Sequence, residues 1–187
     1  MSLPRVTELA HLLVERCLKP GGRAIDATVG NGHDTLFLAR LVGPGGRVDG
    51  FDLQAAAIER TRMKTSELPQ VHLHTLGHER IGELVAGPVD AVMFNLGYLP
   101  SGDKSVITLP SSTLPALETA AKLLGGGGIL TTVVYPGHEG GAEEAAAVVP
   151  WFQTLARDCY RVVHFGPLRP SPAEHDSPFL LAAWREG

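Results

Sequence analysis

Cysteine is scarce in this sequence. Only Cys17 and Cys159 occur in 187 residues, far apart and outside any Cys-x-x-Cys spacing. That excludes a disulfide framework and a zinc ribbon, and it fits a reducing, cytoplasmic setting. An excess of positive charge is also missing: 16 Lys and Arg against 20 Asp and Glu give a formal charge of -4. With no global basic field to drive phosphate binding, any nucleic-acid contact has to be local. The N-terminus lacks the basic start and apolar core of a signal peptide. The apolar stretch from Phe179 to Trp184 is far too short to span a bilayer, so no membrane partner is expected. Internal repeats, low-complexity tails and linkers are absent, and the length and 44% hydrophobic content suit one domain over residues 1–187.

What is present is an alternation. Leu9, Leu12, Leu13 and Cys17 fall at helical spacing before a Lys19-Pro20-Gly21-Gly22 stop. Short apolar runs then read as strands at 23–28, 47–52, 71–75, 90–95 and 129–135, with helices at 33–41, 54–65, 79–85, 111–124 and 139–157 between them. The glycines Gly125 to Gly128 are read as ending the fourth of these helices, and Pro150 as interrupting the last, because proline lacks the needed donor. Such a rhythm predicts an α/β fold, a parallel sheet with helices on both faces. Two further strands, 159–165 and 177–184, have no helix between them and are expected to pair antiparallel as a hairpin at one sheet edge.

The strongest local signal is Asp26-Ala27-Thr28-Val29-Gly30-Asn31-Gly32-His33-Asp34-Thr35, between a buried strand and a helix start. Gly30 and Gly32 remove the Cβ atoms that would block a ligand, and the helix N-terminus offers unpaired N–H groups. A dinucleotide fingerprint would place a third glycine where Thr35 stands, which weakens a nicotinamide reading. Asp26 supplies a carboxylate able to meet an ammonium group, directly or through water, pointing to a cationic cofactor. Twenty residues past Gly32, Asp52, followed by Gln54, closes the second strand and can accept both ribose hydroxyl hydrogens. Asp34 reads equally as a ligand contact and as a first-turn residue matched to the helix dipole. His78-Glu79 follows the third strand, at the adenine edge or as a helix-capping turn. His72 and His74 share one strand face, but without converging cysteines or acids no metal is expected.

The fourth strand runs into Asn95-Leu96-Gly97-Tyr98-Leu99-Pro100 and then Ser101-Gly102-Asp103-Lys104-Ser105. Open α/β sheets bind ligands beyond the carboxyl ends of their strands, so this loop faces the same crevice. Asn95 and Tyr98 repeat the first and last positions of the Asn-Pro-Pro-Tyr motif of amino-group methyltransferases, in which an amide holds the target N–H and an aromatic ring stacks on the base. A base so held is out of its stack. Tyr135-Pro136-Gly137-His138-Glu139 ends the fifth strand on the same side, where His138 can accept a proton, contact phosphate or cap the next helix.

These segments together, with Gly77-His78-Glu79 and Gly50-Phe51-Asp52-Leu53-Gln54, resemble the YtqB/MnmM-like family over nearly the whole chain. The Asn-Leu-Gly-Tyr-Leu-Pro and Gly-Asn-Gly-His-Asp-Thr segments are its specific parts. The resemblance implies a single Rossmann-like class I methyltransferase domain with a seven-stranded, mostly parallel sheet and an antiparallel last strand. It implies S-adenosylmethionine as methyl donor and S-adenosylhomocysteine as product. The acceptor it implies is the aminomethyl group of wobble 5-aminomethyl-2-thiouridine, and the partner the tRNA anticodon region. On that reading Asp26, Gly30, Asn31, Gly32, His33, Asp34, Thr35, Asp52, Gln54, His78 and Glu79 hold the cofactor. Asn95 and Tyr98 orient the acceptor, and Asp103, Lys104 and His138 handle protons or phosphate. The competing readings are an rRNA base or small amine as acceptor, and an RNA-binding protein without turnover. A homodimer through the sheet edge or the helices is compatible with the pattern.

Overall fold

Seven strands line up in one sheet in the order β3-β2-β1-β4-β5-β7-β6. In this computed structural model, which describes residues 4–97, 107–156, 158–167 and 176–187, β1 is Arg23–Asp26, β2 Arg47–Phe51, β3 Val71–His74 and β4 Val89–Asn95. The remaining strands are β5 Leu124–Val134, β6 Tyr160–Phe165 and β7 Phe179–Arg185. β1 to β5 pair in parallel, and β7 runs antiparallel to both β5 and β6. The final two strands thus form the expected hairpin, with β6 on the edge and β7 inserted beside β5.

Helices α1 (Val6–Cys17) and α2 (His33–Val42) bury Ala10, Val14, Leu38 and Val42 against one sheet face, with Ala24, Val48 and Ile129. Helices α5 (Pro110–Leu123) and α6 (Gly141–Leu155) cover the other face, where Leu117 and Phe152 meet Ile25, Val92 and Phe94. Strands sandwiched in this way must be apolar on both sides, which is why β4 reads as an almost unbroken buried run. α3 (Ala55–Lys64) follows β2, and a 3-10 turn at His78–Arg80 leads into the short α4 (Ile81–Leu84).

Two expectations change. α5 does end at Leu123, but Gly125 to Gly128 belong to β5 rather than to a helix stop. Between the pairs Val89 with Leu124 and Ala91 with Ile129 the register shifts, so the glycines form an excursion in the strand. Gly128 folds back so closely that a Cβ there would lie 3.0 Å from the Gly125 carbonyl. Pro150 does not interrupt α6. Val148 and Phe152, on either side of it, are both buried, and this packing holds the helix together across the lost hydrogen bond.

Candidate active site

The strands β1 and β4 are neighbours from which the chain departs in opposite directions across the sheet, and a crevice opens beyond their carboxyl ends. There a cavity of about 500 Å³ is lined by the segments that follow β1, β2, β3, β4 and β5.

Its donor wall is built by backbone hydrogen bonds that draw the β1–α2 turn onto β2. Val29 N–H donates to the Phe51 carbonyl at 3.0 Å, and Gly30 N–H to Asp52 Oδ2 at 2.8 Å. Asp52 Oδ1 accepts the Gln54 N–H at 2.8 Å. Each carboxylate oxygen keeps a further lone pair for a ligand hydroxyl. Gly32 caps α2 at φ 76°, and a Cβ there would stand 2.5 Å from Thr61 Oγ1, so position 32 has no room for a side chain. Lys64 Nζ reaches over from α3 to the Asn31 carbonyl at 2.6 Å.

Asp26 sits behind this wall, not on it. It is fully buried, accepting Thr35 Oγ1–H at 2.5 Å and the Thr28 N–H at 3.1 Å. Burial, and next the nearby charge of Asp34, push its carboxyl up to about 7 against the pull of those two bonds. Asp26 therefore does not itself line the cavity: its oxygens shape the turn in front of it. Thr35 and Gly32 are likewise behind the surface, whereas Gly30, Asn31, His33, Asp34, Asp52, Gln54, His78 and Glu79 all line the cavity. Asp34 Oδ1 is 2.6 Å from His11 Nε2 of α1, a partner with no local sequence signal. His78 is almost wholly buried, and desolvation lowers the pKa of its imidazole from the ordinary histidine value. His74 Nε2 lies 3.0 Å from Asp49 Oδ1. Among the described residues no three His, Cys, Asp or Glu side chains converge as a metal site.

On the acceptor wall Asn95 is fixed through its backbone, its N–H donating to Thr28 Oγ1 at 2.7 Å. Its side chain shares a hydrogen bond with the phenol of Tyr135, whose pKa is raised by burial and by the charge of Asp34. His138 Nδ1 faces the Glu139 carbonyl at 2.7 Å, and its Nε2 lies 3.2 Å from where a Cβ on Gly97 would be. Gly97 has φ 124°, so glycine in place of the motif's proline meets both a conformational and a spatial demand. Tyr98, Asp103 and Lys104 lie outside the described residues. Sequence reasoning did not single out Thr28, Leu53, Thr108 or Tyr135 as site residues, although all four line the cavity. Only Tyr135 carries a usable signal, its place one residue past a buried strand.

The arrangement suits a ligand with a cationic end and a sugar diol. Asp34 and Asp52 line the cavity with the buried Asp26 behind them, and the glycine turn removes the bulk that would keep an adenosyl group out. Across from them an amide, a phenol and an imidazole offer hydrogen bonds to a second molecule.

Comparison with known proteins agrees with this geometry. A crystal structure of a "putative rRNA-methylase" from Clostridium thermocellum superposes with a TM-score of 0.92 at 38% identity, covering 99% of this chain and 100% of that one. "A putative methyltransferase" from Streptococcus mutans, in complex with SAH, gives a TM-score of 0.86 at 35% identity over 98% and 99% of the two chains. The Arabidopsis thaliana protein named "tRNA (mnm(5)s(2)U34)-methyltransferase, chloroplastic" is 43% identical over 157 residues, 77% of this chain. The chain spans 57% of that relative's length. The family model described as "Putative rRNA methylase" matches residues 48–183. With that match across most of its length, and with the class I methyltransferase fold around the cavity, the chain belongs to this rRNA-methylase family, the one its YtqB/MnmM-like motifs resemble.

Proposed function

We propose that the chain is an S-adenosylmethionine-dependent RNA methyltransferase that N-methylates the aminomethyl group of wobble 5-aminomethyl-(2-thio)uridine in tRNA, with residues 1–187 acting as one catalytic domain. The observation that carries this reading is that a donor wall made by Gly30, Asp34 and Asp52 and an acceptor wall made by Asn95, Tyr135 and His138 line one cavity. The relative from Arabidopsis, named for methylation at U34 of tRNA, supports the acceptor, and the bound SAH of the Streptococcus mutans relative supports the donor. The anticodon region is then the part of the RNA that must enter. A reducing compartment such as the cytoplasm suits both RNA and the two free cysteines.

When bound, S-adenosylmethionine supplies a methyl carbon on a cationic sulfur and leaves as S-adenosylhomocysteine. The chain's own residues do the positioning. Asp52 takes the ribose hydroxyls, and Asp34 faces the cationic end. The Asn95 carbonyl oxygen accepts an N–H of the neutral acceptor amine, which turns the amine lone pair toward the donor. His138 Nε2 takes up the proton released after transfer. Holding two reactants in line is worth about 7–11 kcal/mol in favourable cases, so orientation is the main contribution asked of this site.

Methyl transfer from radiolabelled S-adenosylmethionine to aminomethyl-bearing tRNA, unmodified tRNA, rRNA and a small primary amine tests this, with nucleoside analysis of the RNA products. Label on the aminomethyl wobble uridine alone is the expected result. Label on rRNA or on a small amine, or none despite cofactor binding, would overturn the acceptor assignment.

A further inference from the structure

Glu144 is a charged side chain with almost no contact with solvent, 1% exposed, in the first turn of α6. Hydroxyl groups meet its two oxygens. Thr113 Oγ1 donates to Oε1 at 2.6 Å and Thr108 Oγ1 to Oε2 at 2.7 Å. Thr113 lies in the first turn of α5, so the positive ends of two helices face this carboxylate and offset part of the cost of burying it.

Thr108 passes the constraint on. Its oxygen accepts the Gly97 N–H at 2.8 Å, and its own N–H donates to the Gly97 carbonyl at 2.9 Å. A carboxylate only accepts, so it claims the Thr108 hydroxyl hydrogen and leaves the oxygen lone pair for Gly97. A neutral amide at position 144 has a single acceptor oxygen and cannot accept from Thr108 and Thr113 through two oxygens, so one of the two hydroxyl links is lost or reversed. Gly97 and Thr108 both line the acceptor wall, with His138 Nε2 beside Gly97. Ile107, next to Thr108, comes within 3.0 Å of the Cβ that Gly140 lacks at the start of α6.

We propose that Glu144 is a positioning residue for the acceptor: through the Thr108 hydroxyl it fixes Gly97, and with it the gap between Asn95 and His138 through which the nucleophile reaches the donor. The proposal rests on the methyltransferase reading of the cavity, but its first test does not.

The test compares Glu144→Gln, Thr108→Val and Thr108→Ser with Thr113→Val, which removes the other Glu144 donor and leaves the Thr108–Gly97 link. Amide hydrogen exchange at Gly97, S-adenosylhomocysteine affinity, melting temperature and acceptor kcat/KM are measured on each. Thr108→Val and Glu144→Gln should speed Gly97 exchange and lower acceptor kcat/KM by about tenfold each, with cofactor affinity within about twofold. Thr108→Ser should restore both. Thr113→Val should lower the melting temperature and leave Gly97 exchange and kcat/KM near wild type. Equal effects from Thr108→Val and Thr113→Val, or an unchanged Gly97 amide in Thr108→Val, would overturn the proposal. If Glu144→Gln fails to fold, the Thr108 pair decides. Should the wild-type chain bind the cofactor yet methylate no RNA, the functional reading fails while Gly97 exchange still decides the role of Glu144.

Discussion

His11 Nε2 and Asp34 Oδ1 lie 2.6 Å apart, 23 positions distant in sequence and on different helices. The imidazole also stacks on Phe37, ring centroids 3.9 Å apart and planes 4° from parallel. One side chain of α1 therefore braces the turn of α2 that carries a cavity carboxylate. His11→Ala should cost about 1–3 kcal/mol of stability, combining a charge-assisted hydrogen bond with a ring contact. Urea unfolding reads this directly, and an unchanged midpoint would mean that the brace contributes nothing.

Asp52 holds the Gly30 and Gln54 N–H groups while presenting its remaining lone pairs to the cavity. Asp52→Ala removes both functions and should weaken S-adenosylhomocysteine binding about a hundredfold, whereas Asp52→Asn, which keeps one oxygen, should lose about tenfold. Calorimetric titration separates the two. Equal affinities for wild type and Asp52→Ala would remove the ribose role.

The buried Asp26 makes stability depend on pH. Its carboxyl is pushed from an ordinary 3.8 up to about 7, so across that window the folded chain holds a proton that the unfolded chain has released. Stability should fall as pH rises from about 4 to about 7 and level off above. Asp26→Asn should flatten that slope. Denaturation curves on both sides of the window check it, and a variant keeping the wild-type slope would place the source elsewhere. A cationic ligand beside Asp34 should draw the Asp26 proton off, which appears as buffer-dependent heat in the same calorimetric titration.

Asn95 is held by its own backbone N–H, a bond that alanine keeps. Asn95→Ala should therefore leave S-adenosylhomocysteine affinity intact and lower kcat with the RNA acceptor by about a hundredfold, the scale expected for a misplaced reactant. Single-turnover kinetics with saturating cofactor reads the change. Full activity in this variant would mean that the amide does not orient the acceptor.

Much of this was legible in the sequence for identifiable reasons. Buried parallel strands leave apolar runs, and the Gly30-Asn31-Gly32 turn and Asp52 betray themselves because backbone approach and hydroxyl recognition admit few residue types. The place of Asp26 behind the wall was not legible, because a carboxylate at a strand end looks the same whether it faces a ligand or supports the turn in front of it. Only the depth of Thr35 distinguishes the two. Glu144 and His11 were not legible at all. Their partners come from other helices, and helical spacing says nothing about a contact made across the fold. The glycines of β5 misled through local chemistry: a run of four reads as a helix stop, whereas its partner strand, far away in sequence, absorbs it as a bulge.

The placement of β7 between β5 and β6 also sets an order of events during synthesis. β5 is complete once Val134 has been made, yet among the described residues its outer edge is paired by residues 179–185 alone, and β6 pairs with β7 alone. On the ribosome the nascent chain must therefore carry an open strand edge for some fifty residues of elongation, and an exposed edge of this kind invites pairing with other chains. Shielding of β5 during that interval would keep the nascent chain from such pairing.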